Sequence, residues 1–288
     1  MENKKFWDLA KESAAMLYNE KDDIMAILQE QNEEIAQKRR GLRGDGKLRM
    51  VKDLKRKYRL NLLGLIETKR QLVTIFDVLK IWENGAGWEY VGSNGAFGGL
   101  LLVWDDGFFN MRNCYKEERW LCVEWILLEN NVNCAFFLVY GSHSRDEKLV
   151  VWKKLSYIAG LCQGPCCFLG DFNEIVQVEE KRGTDRLPLS AEDFKDWINN
   201  MGLLDLPITD RKFTWFRGRS CSCIDRALVS LEWLDVFLDS RLRGGPWGLS
   251  DHCPIIVEDK RIRDGPRPFQ SLDSWFTHER FLRMVKEE

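Results

Sequence analysis

Several apolar segments of the sequence are bounded by polar residues whose side chains suit metal or phosphate chemistry. Strand ends on one rim of a sheet can bring such residues together from distant positions, so we predict a functional site at such a rim. The residues are Glu67 in GLIETK, Tyr140 in FFLVYGS, Asp171 and Asn173 in FLGDFNEI, Asp225 in CIDRALVS, and Ser250, Asp251 and His252 in LSDHCPII.

These residue types fit the hydrolysis of a phosphodiester. Mg²⁺ prefers carboxylate oxygens and keeps several waters, and Glu67 is the best candidate ligand. The reaction also needs a group that accepts or orients the proton of water, and donors for the charge that builds on the phosphoryl oxygens. Asp171, Asn173, Tyr140 and His252 could fill these roles. A carboxylate usually holds the other ring nitrogen of such a histidine, and Asp225 is the candidate.

Each residue also has a structural interpretation that the sequence leaves open. Glu67 could be a solvated acid at the end of a strand. Asp171 and Asn173 could form an Asx turn, and Asp225 could pair with Arg226 or Arg219.

Composition bounds the class of protein. The 288 residues are 44% hydrophobic with twelve tryptophans and a net charge of -2, which is typical of a folded globular protein. No apolar run reaches the roughly 20 residues that span a membrane, and the start lacks the apolar core of a secretory signal. We expect a nuclear or cytoplasmic protein without a membrane partner. The nine cysteines are expected to be reduced thiols without zinc-ligand spacing.

The first 45 residues predict a helical extension. Residues 6 to 40 carry an apolar seam spaced by four and three, interrupted by Lys21 and Gln31. The seam fits an amphipathic helix on a surface, or a weak coiled-coil partner helix. Three glycines between Arg40 and Lys47 then mark a boundary.

From Lys47 onward, strands and helices are mixed. Many strand patterns follow one another, with helices expected at 48–58, 72–83, 147–161, 191–201 and 231–238. This order predicts an α+β fold with two sheets packed face to face and helices outside. We expect a domain at 46–260 and a linker tail at 261–288.

The ordered motifs resemble the endonuclease/exonuclease/phosphatase superfamily. More narrowly, they resemble the apurinic-type endonuclease domain of plant LINE (non-LTR) retrotransposons. The resemblance rests on ETK, GGLLLVW, GDFNE, FTW, IDRALVS and SDHCPII, and extends from about Gly41 to about Glu288. The segment RPFQSLDSWFTHERFLRMV resembles the lead into a reverse transcriptase.

The resemblance implies a four-layer α/β/β/α sandwich and Mg²⁺-dependent cleavage of DNA, with Mn²⁺ as an alternative ion. By resemblance, Glu67 is the metal ligand with Asp251 close enough to assist, and Tyr140 and Asn173 contact the scissile phosphate. Asp171 orients or deprotonates water, or protonates the leaving group. His252, held by Asp225, stabilises or deprotonates at the phosphate.

Two departures from the family pattern stand out. The family's first strand, like SWNVRGLG, is missing, and Lys38 stands where its Asn would be. A missing strand exposes a sheet edge, and an ammonium there weakens metal binding. Cys223 replaces a residue that is commonly basic, which loosens the support of Asp225.

A basic stripe runs from Lys38 to Arg59, where eleven of the residues are Lys or Arg. It is a solvated helix, a surface that binds DNA phosphates, or a nuclear-localisation signal. The nucleic-acid-binding candidates within it are Arg40, Lys47, Lys55, Arg56 and Lys57.

Three functions remain open at this stage. The leading hypothesis is a retroelement-derived DNA-nicking endonuclease domain of impaired activity. The second is an inactive remnant that binds nucleic acid through the basic stripe. The third keeps the fold but hydrolyses lipid or inositol phosphates, against which the FTW and IDR motifs argue.

Overall fold

The computed structural model describes residues 45–82, 85–95, 98–248 and 250–259. The predicted helix at 6–40, the missing first strand, Lys38, Arg40 and the tail from 261 lie outside these residues. None of the described helices is both long and apolar enough to cross a bilayer.

The described chain contains five α-helices, one 3-10 turn and thirteen strands. The helices are α1 (Asp45–Tyr58), α2 (Ile75–Leu79), α3 (Arg145–Leu161), α4 (Leu189–Asn200) and α5 (Leu231–Val236), and the 3-10 turn is Val178–Glu180. The strands are β1 (Leu62–Ile66), β2 (Ala86–Val91), β3 (Leu100–Asp105), β4 (Phe109–Glu117), β5 (Trp120–Leu127), β6 (Val132–Tyr140), β7 (Cys166–Asp171), β8 (Leu204–Asp205), β9 (Trp215–Arg217), β10 (Ser220–Ser222), β11 (Asp225–Val229), β12 (Ser240–Gly244) and β13 (Ile255–Asp259).

Two sheets pack face to face. The large sheet has the order β4-β5-β6-β7-β11-β8, with β6 and β7 parallel and the other pairs antiparallel. The small sheet has the order β1-β3-β2 and is antiparallel. Alternate residues of β3 face opposite ways, Leu100 and Leu102 towards the large sheet, Leu101 and Val103 towards α1 and α2. This period-two alternation lets one strand serve two apolar layers.

The helices form the outer layers. Val51 of α1 and Val78 of α2 pack on the outer face of the small sheet. Trp152 of α3 and Phe194 of α4 pack on the outer face of the large sheet, their rings 5.1 Å apart between centroids. The predicted α+β fold with an α/β/β/α order of layers is therefore confirmed.

β1 and β13 both lie over the large sheet without pairing with each other. β1 contacts β6 and β7, whereas β13 contacts β11, the next strand along. β13 instead pairs with β12 in a separate two-stranded sheet. Within the described part of the chain, β1 and β13 thus each have one edge without a strand partner.

Some predicted elements differ in extent. The helix predicted at 72–83 is only α2, because Thr74 caps its start: Asp77 Oδ2 accepts bonds from Thr74 N at 3.2 Å and Thr74 Oγ1 at 3.0 Å. Four strands were not predicted: β4, β8, β10 and β12. β4 is an edge strand with four consecutive exposed residues and a register shift between Met111 and Asn113, so its sequence lacks the alternation of a half-buried strand.

Candidate active site

Three predicted site residues lie in one row across the large sheet. Tyr140 at the end of β6 is opposite Asp171 at the end of β7, and Asp171 is opposite Asp225 at the start of β11. Directly opposite residues point to the same face of a sheet. That face packs on the small sheet, as the packing of Tyr140 and Ala227 in the intersheet core shows. The row therefore projects into the rim between the sheets.

Glycines allow the backbones to approach closely in this row. Gly170 has φ 149°, and a Cβ there would lie 2.0 Å from the carbonyl oxygen of Val139. A Cβ on Gly141, which follows Tyr140, would lie 2.3 Å from the carbonyl oxygen of Phe172. Such distances exclude any side chain without a backbone shift, so both glycines set the spacing of the site.

Asn173 folds back on Asp171. Its backbone N–H donates to Asp171 Oδ1 at 2.8 Å, and its Nδ2 donates to Asp171 Oδ2 at 3.1 Å and to the carbonyl oxygen of Gly141 at 2.8 Å. Asn173 has φ 50°, a left-handed conformation that Asn tolerates better than most residues. The Asx-turn interpretation is therefore correct in geometry, and the same turn fixes the Asp171 carboxylate in the rim.

Asp225 holds His252. Nδ1 of His252 lies 3.0 Å from Asp225 Oδ1 and 2.9 Å from Asp225 Oδ2. Asp225 is in turn fixed by Thr214, whose Oγ1 accepts the backbone N–H groups of Ile224 and Asp225, each at 3.1 Å. Thr214 is fully buried. Asp225 does not bond to Arg226, which instead bonds to Asp205 and Glu180.

His252 also faces Asp171. Nε2 of His252 lies 3.8 Å from Asp171 Oδ2. Asp171 and Asp225 are 1% and 5% exposed, whereas His252 is about a quarter exposed in its side chain. The result is a line from Asp225 through His252 to Asp171, open to solvent mainly at the imidazole.

The burial of this line perturbs its protonation. Burial and the Asp225 carboxylate raise the pKa of Asp171, although the charge of His252 opposes the shift. Burial alone would lower the pKa of His252, but the carboxylates of Asp225 and Asp171 outweigh it and raise that pKa to about 10. At neutral pH and without a bound cation, the imidazole of His252 is thus charged and the carboxyl group of Asp171 tends to keep its proton.

Glu67 enters the rim from the small sheet. It follows β1 in a left-handed conformation with φ 52°. Its Oε1 accepts the hydroxyl of Tyr140 at 2.6 Å, and its side chain remains 45% exposed. Burial and this bond to Glu67 raise the pKa of the Tyr140 phenol, so the hydroxyl keeps its proton. Tyr140 thereby joins the two sheets at the site.

Not all predicted residues join the cluster. The Asp251 side chain is exposed, and its carbonyl oxygen accepts the N–H of Phe216 at 2.8 Å. The α1 candidates lie in the outer helical layer, where Lys55 Nζ is 4.1 Å from the Trp82 ring centroid and Lys57 Nζ is 5.2 Å from that of Tyr58. The other two α1 candidates, Lys47 and Arg56, are on the same helix. His143 is exposed.

Sequence reasoning missed two supporting residues. Thr214 lies within the FTW motif, and no charge or spacing marked it as the support of Asp225. Arg119 lies in the turn before β5, with its guanidinium carbon 5.4 Å from the Tyr140 ring centroid and its Nη2 3.6 Å from Glu147 Oε2. Only the pairing of β5 with β6 places Arg119 beside Tyr140.

The donors at the rim are hard oxygens that suit a divalent cation. Ligand atoms of Asp171, Asp225 and His252 all lie within 4.8 Å of one another. His252 and Asp225 already bond to each other, however, whereas Glu67 offers a half-exposed carboxylate with one oxygen free of Tyr140. Carboxylate oxygens are what Mg²⁺ and Mn²⁺ prefer. The residues therefore fit such an ion, best on the Glu67 side.

The sequence matches the model of a known protein family. The Endonuclease/Exonuclease/phosphatase family matches residues 19–252, and the chain belongs to this family. Members of this family are generally dependent on divalent metals. No curated protein matches the sequence significantly.

Solved structures share the fold at low sequence identity. The AP endonuclease LMAP from Leishmania major aligns with TM-score 0.60 at 13% identity, covering 76% of this chain and 84% of that one. The catalytic domain of Xenopus laevis APE2 aligns with TM-score 0.55 at 18% identity, covering 76% and 89%. The endonuclease domain of TRAS1, a telomere-specific non-LTR retrotransposon, aligns with TM-score 0.53 at 13% identity, covering 73% and 90%.

Proposed function

We propose that this protein is a metal-dependent phosphodiesterase whose substrate is DNA, in which it makes single-strand nicks. The observation that carries the proposal is the Asp225–His252–Asp171 line opposite the Tyr140–Glu67 pair. Two acids and a histidine at one open rim supply a proton acceptor and charge stabilisation for a phosphodiester.

Each residue has a role in this proposal. Asp225 fixes the ring of His252, so that Nε2 points to the rim and donates to a phosphoryl oxygen. In its ionised form, Asp171 orients the attacking water and takes its proton, and Asn173 keeps the Asp171 carboxylate in place. Tyr140 positions Glu67 through its hydroxyl. Glu67 would hold a Mg²⁺ or Mn²⁺ ion, which supplies positive charge for the transition state.

The proposed substrate rests on likeness and on charge. One of the similar structures is named an AP endonuclease and another is a retrotransposon endonuclease domain. Exposed cations also lie on the segment after the 3-10 turn and on the β9–β10 hairpin with the residues before it, and these two segments meet where the N–H of Arg182 donates to the carbonyl oxygen of Cys221 at 3.1 Å. These cations are Lys181, Arg182, Arg186, Lys212, Arg217 and Arg219. Trp215, next to this surface, bridges to His252, so a polyanion bound there would reach the rim.

Impaired activity is part of the proposal. β1 positions Glu67, and one edge of β1 lacks a strand partner among the described residues. An edge strand frays more readily than a central one. We therefore expect slow nicking, and faster nicking when a strand resembling SWNVRGLG is added upstream.

The test is a comparison of substrates with Mg²⁺ present. Purified protein is incubated with supercoiled plasmid or with an inositol polyphosphate, with His252→Ala as the paired control. Nicking by the wild type, lost in His252→Ala, supports the proposal. Release of phosphate from the inositol polyphosphate without nicking overturns the DNA assignment. Binding of DNA with neither activity favours the inactive remnant.

A further inference from the structure

A buried ion pair lies directly beneath the Asp171–Asn173 turn. Lys148, in the first turn of α3, donates from Nζ to the carbonyl oxygen of Asn173 at 2.6 Å and to Glu174 Oε2 at 2.5 Å. Both side chains are almost inaccessible, 6% and 5% exposed. The ammonium therefore binds the backbone of one residue proposed to act in the site and the side chain of the next.

Lys148 links two loops that carry site residues. The loop after β6 begins at Tyr140 and leads into α3, and the loop after β7 begins at Asp171 and carries Asn173. Two other bonds already join these loops: Gly141 N–H donates to the carbonyl oxygen of Asp171 at 2.6 Å, and Asn173 Nδ2 donates to that of Gly141. The ammonium adds a third link, at the carbonyl oxygen of Asn173, a residue in the left-handed conformation.

Stability alone is a poor explanation for a lysine at this position. A cation in the first turn of a helix opposes the helix dipole. Replacing a buried ion pair by apolar residues of similar volume is often neutral or stabilising. A pair that contributes little net stability, yet fixes a carbonyl oxygen in the site, is better explained by the position it imposes.

We propose that Lys148 is a positioning residue, which with Glu174 locks the Asn173 peptide and so aims the Asp171 carboxylate and the Asn173 amide into the rim. The proposal rests on the proposed phosphodiesterase function. Reacting groups displaced by about 1 Å lose about a hundredfold in rate. Loosening the turn should therefore lower kcat. KM should stay unchanged, because other loops form the surface that binds DNA.

The test uses a double variant, because removing one partner leaves a buried unpaired charge and threatens folding. Lys148→Met combined with Glu174→Leu removes both charges and keeps the volume. The matched control is Lys154→Met on the same helix, whose Nζ bonds to Glu117 at 2.6 Å with both side chains about half exposed. We expect kcat for plasmid nicking to fall at least tenfold in the double variant, with KM within threefold and Tm retained, and no change in the control.

A double variant with the wild-type kcat overturns the proposal. A rise in KM without a fall in kcat also overturns it, because that result means lost binding and not lost positioning. If the wild-type protein cleaves nothing, the proposed function fails, and Lys148 is judged by hydrogen exchange of the Gly141 amide. Faster exchange in the double variant than in Lys154→Met then supports the positioning role, and equal exchange contradicts it.

Discussion

His252 lies between two acids that face each other across a strand pair: its Nδ1 is 2.9 Å from Asp225, and its Nε2 is 3.8 Å from Asp171. The two acids are neighbours in the sheet because β11 and β7 pair in register at that row. Like charges directly opposite each other are destabilising, so the imidazolium between them offsets their repulsion.

Asp171→Asn should stabilise the protein while abolishing cleavage. The folded-state pKa of Asp171 is raised above its unfolded value, so its ionisation costs stability as pH rises from about 4 towards 8. An amide removes this cost. Without metal, we expect Tm to rise by about 4–8 °C at pH 8, which corresponds to roughly 2 kcal/mol, with little change near pH 4. Thermal melts of both proteins in EDTA across this range are the measurement; a Tm of the variant below that of wild type at pH 8 would contradict it.

Thr214→Val should damage the site through Asp225. The hydroxyl accepts the N–H groups of Ile224 and Asp225, and valine leaves both without that acceptor at a buried position. We expect a loss of about 1–3 kcal/mol in the free energy of unfolding and a fall in kcat. Thr214→Ser keeps the acceptor and serves as the control in urea unfolding and nicking assays. Equal losses in both variants would mean that the methyl group matters and the hydroxyl does not.

Tyr140→Phe should weaken metal binding more than folding. The change removes the hydroxyl that bonds to Glu67 at 2.6 Å and keeps the ring that Arg119 packs on. Supporting bonds of this kind are worth about 10–100-fold in metal affinity or activity. The Mn²⁺ concentration that gives half of the maximal nicking rate should therefore be higher in the variant, with Tm nearly unchanged. If the half-maximal Mn²⁺ concentration is the same in the variant and the wild type, the ion does not bind at Glu67.

Two basic surfaces are candidates for DNA binding, the one that carries Arg217 and Arg219 and the one on α1. Arg217→Ala with Arg219→Ala should weaken binding and reduce the slope of log K against log salt by about 2, one for each phosphate contact. Lys55→Ala with Arg56→Ala on α1 tests the stripe predicted from the sequence. Fluorescence anisotropy at several salt concentrations compares them. A larger loss from the α1 pair would move the DNA surface to the outer helical layer.

The sequence predicted the strands that carry the site because their apolar runs are bounded, at one end, by rare combinations of polar residues. FLGDFNEI and LSDHCPII are such runs, and the structure brings Asp171 and His252 together from them. Thr214 and Lys148 were not predicted, because a buried hydroxyl and a buried ammonium act through partners that only the strand register and the helix position supply. The edge strand β4 was not predicted either. Four consecutive residues of this strand are exposed, so its sequence lacks the alternation of apolar and polar residues that indicates a strand.

Single-turnover nicking of supercoiled plasmid by the wild type, Asp225→Asn and Lys154→Met tests the central claim most directly. Asp225→Asn keeps the shape of the residue that holds His252 but removes its charge, and Lys154→Met changes a charge outside the site. We expect nicking that EDTA abolishes, a rate at least a hundredfold lower in Asp225→Asn, and an unchanged rate in Lys154→Met. Equal nicking by all three proteins, or nicking that persists in EDTA, would contradict it.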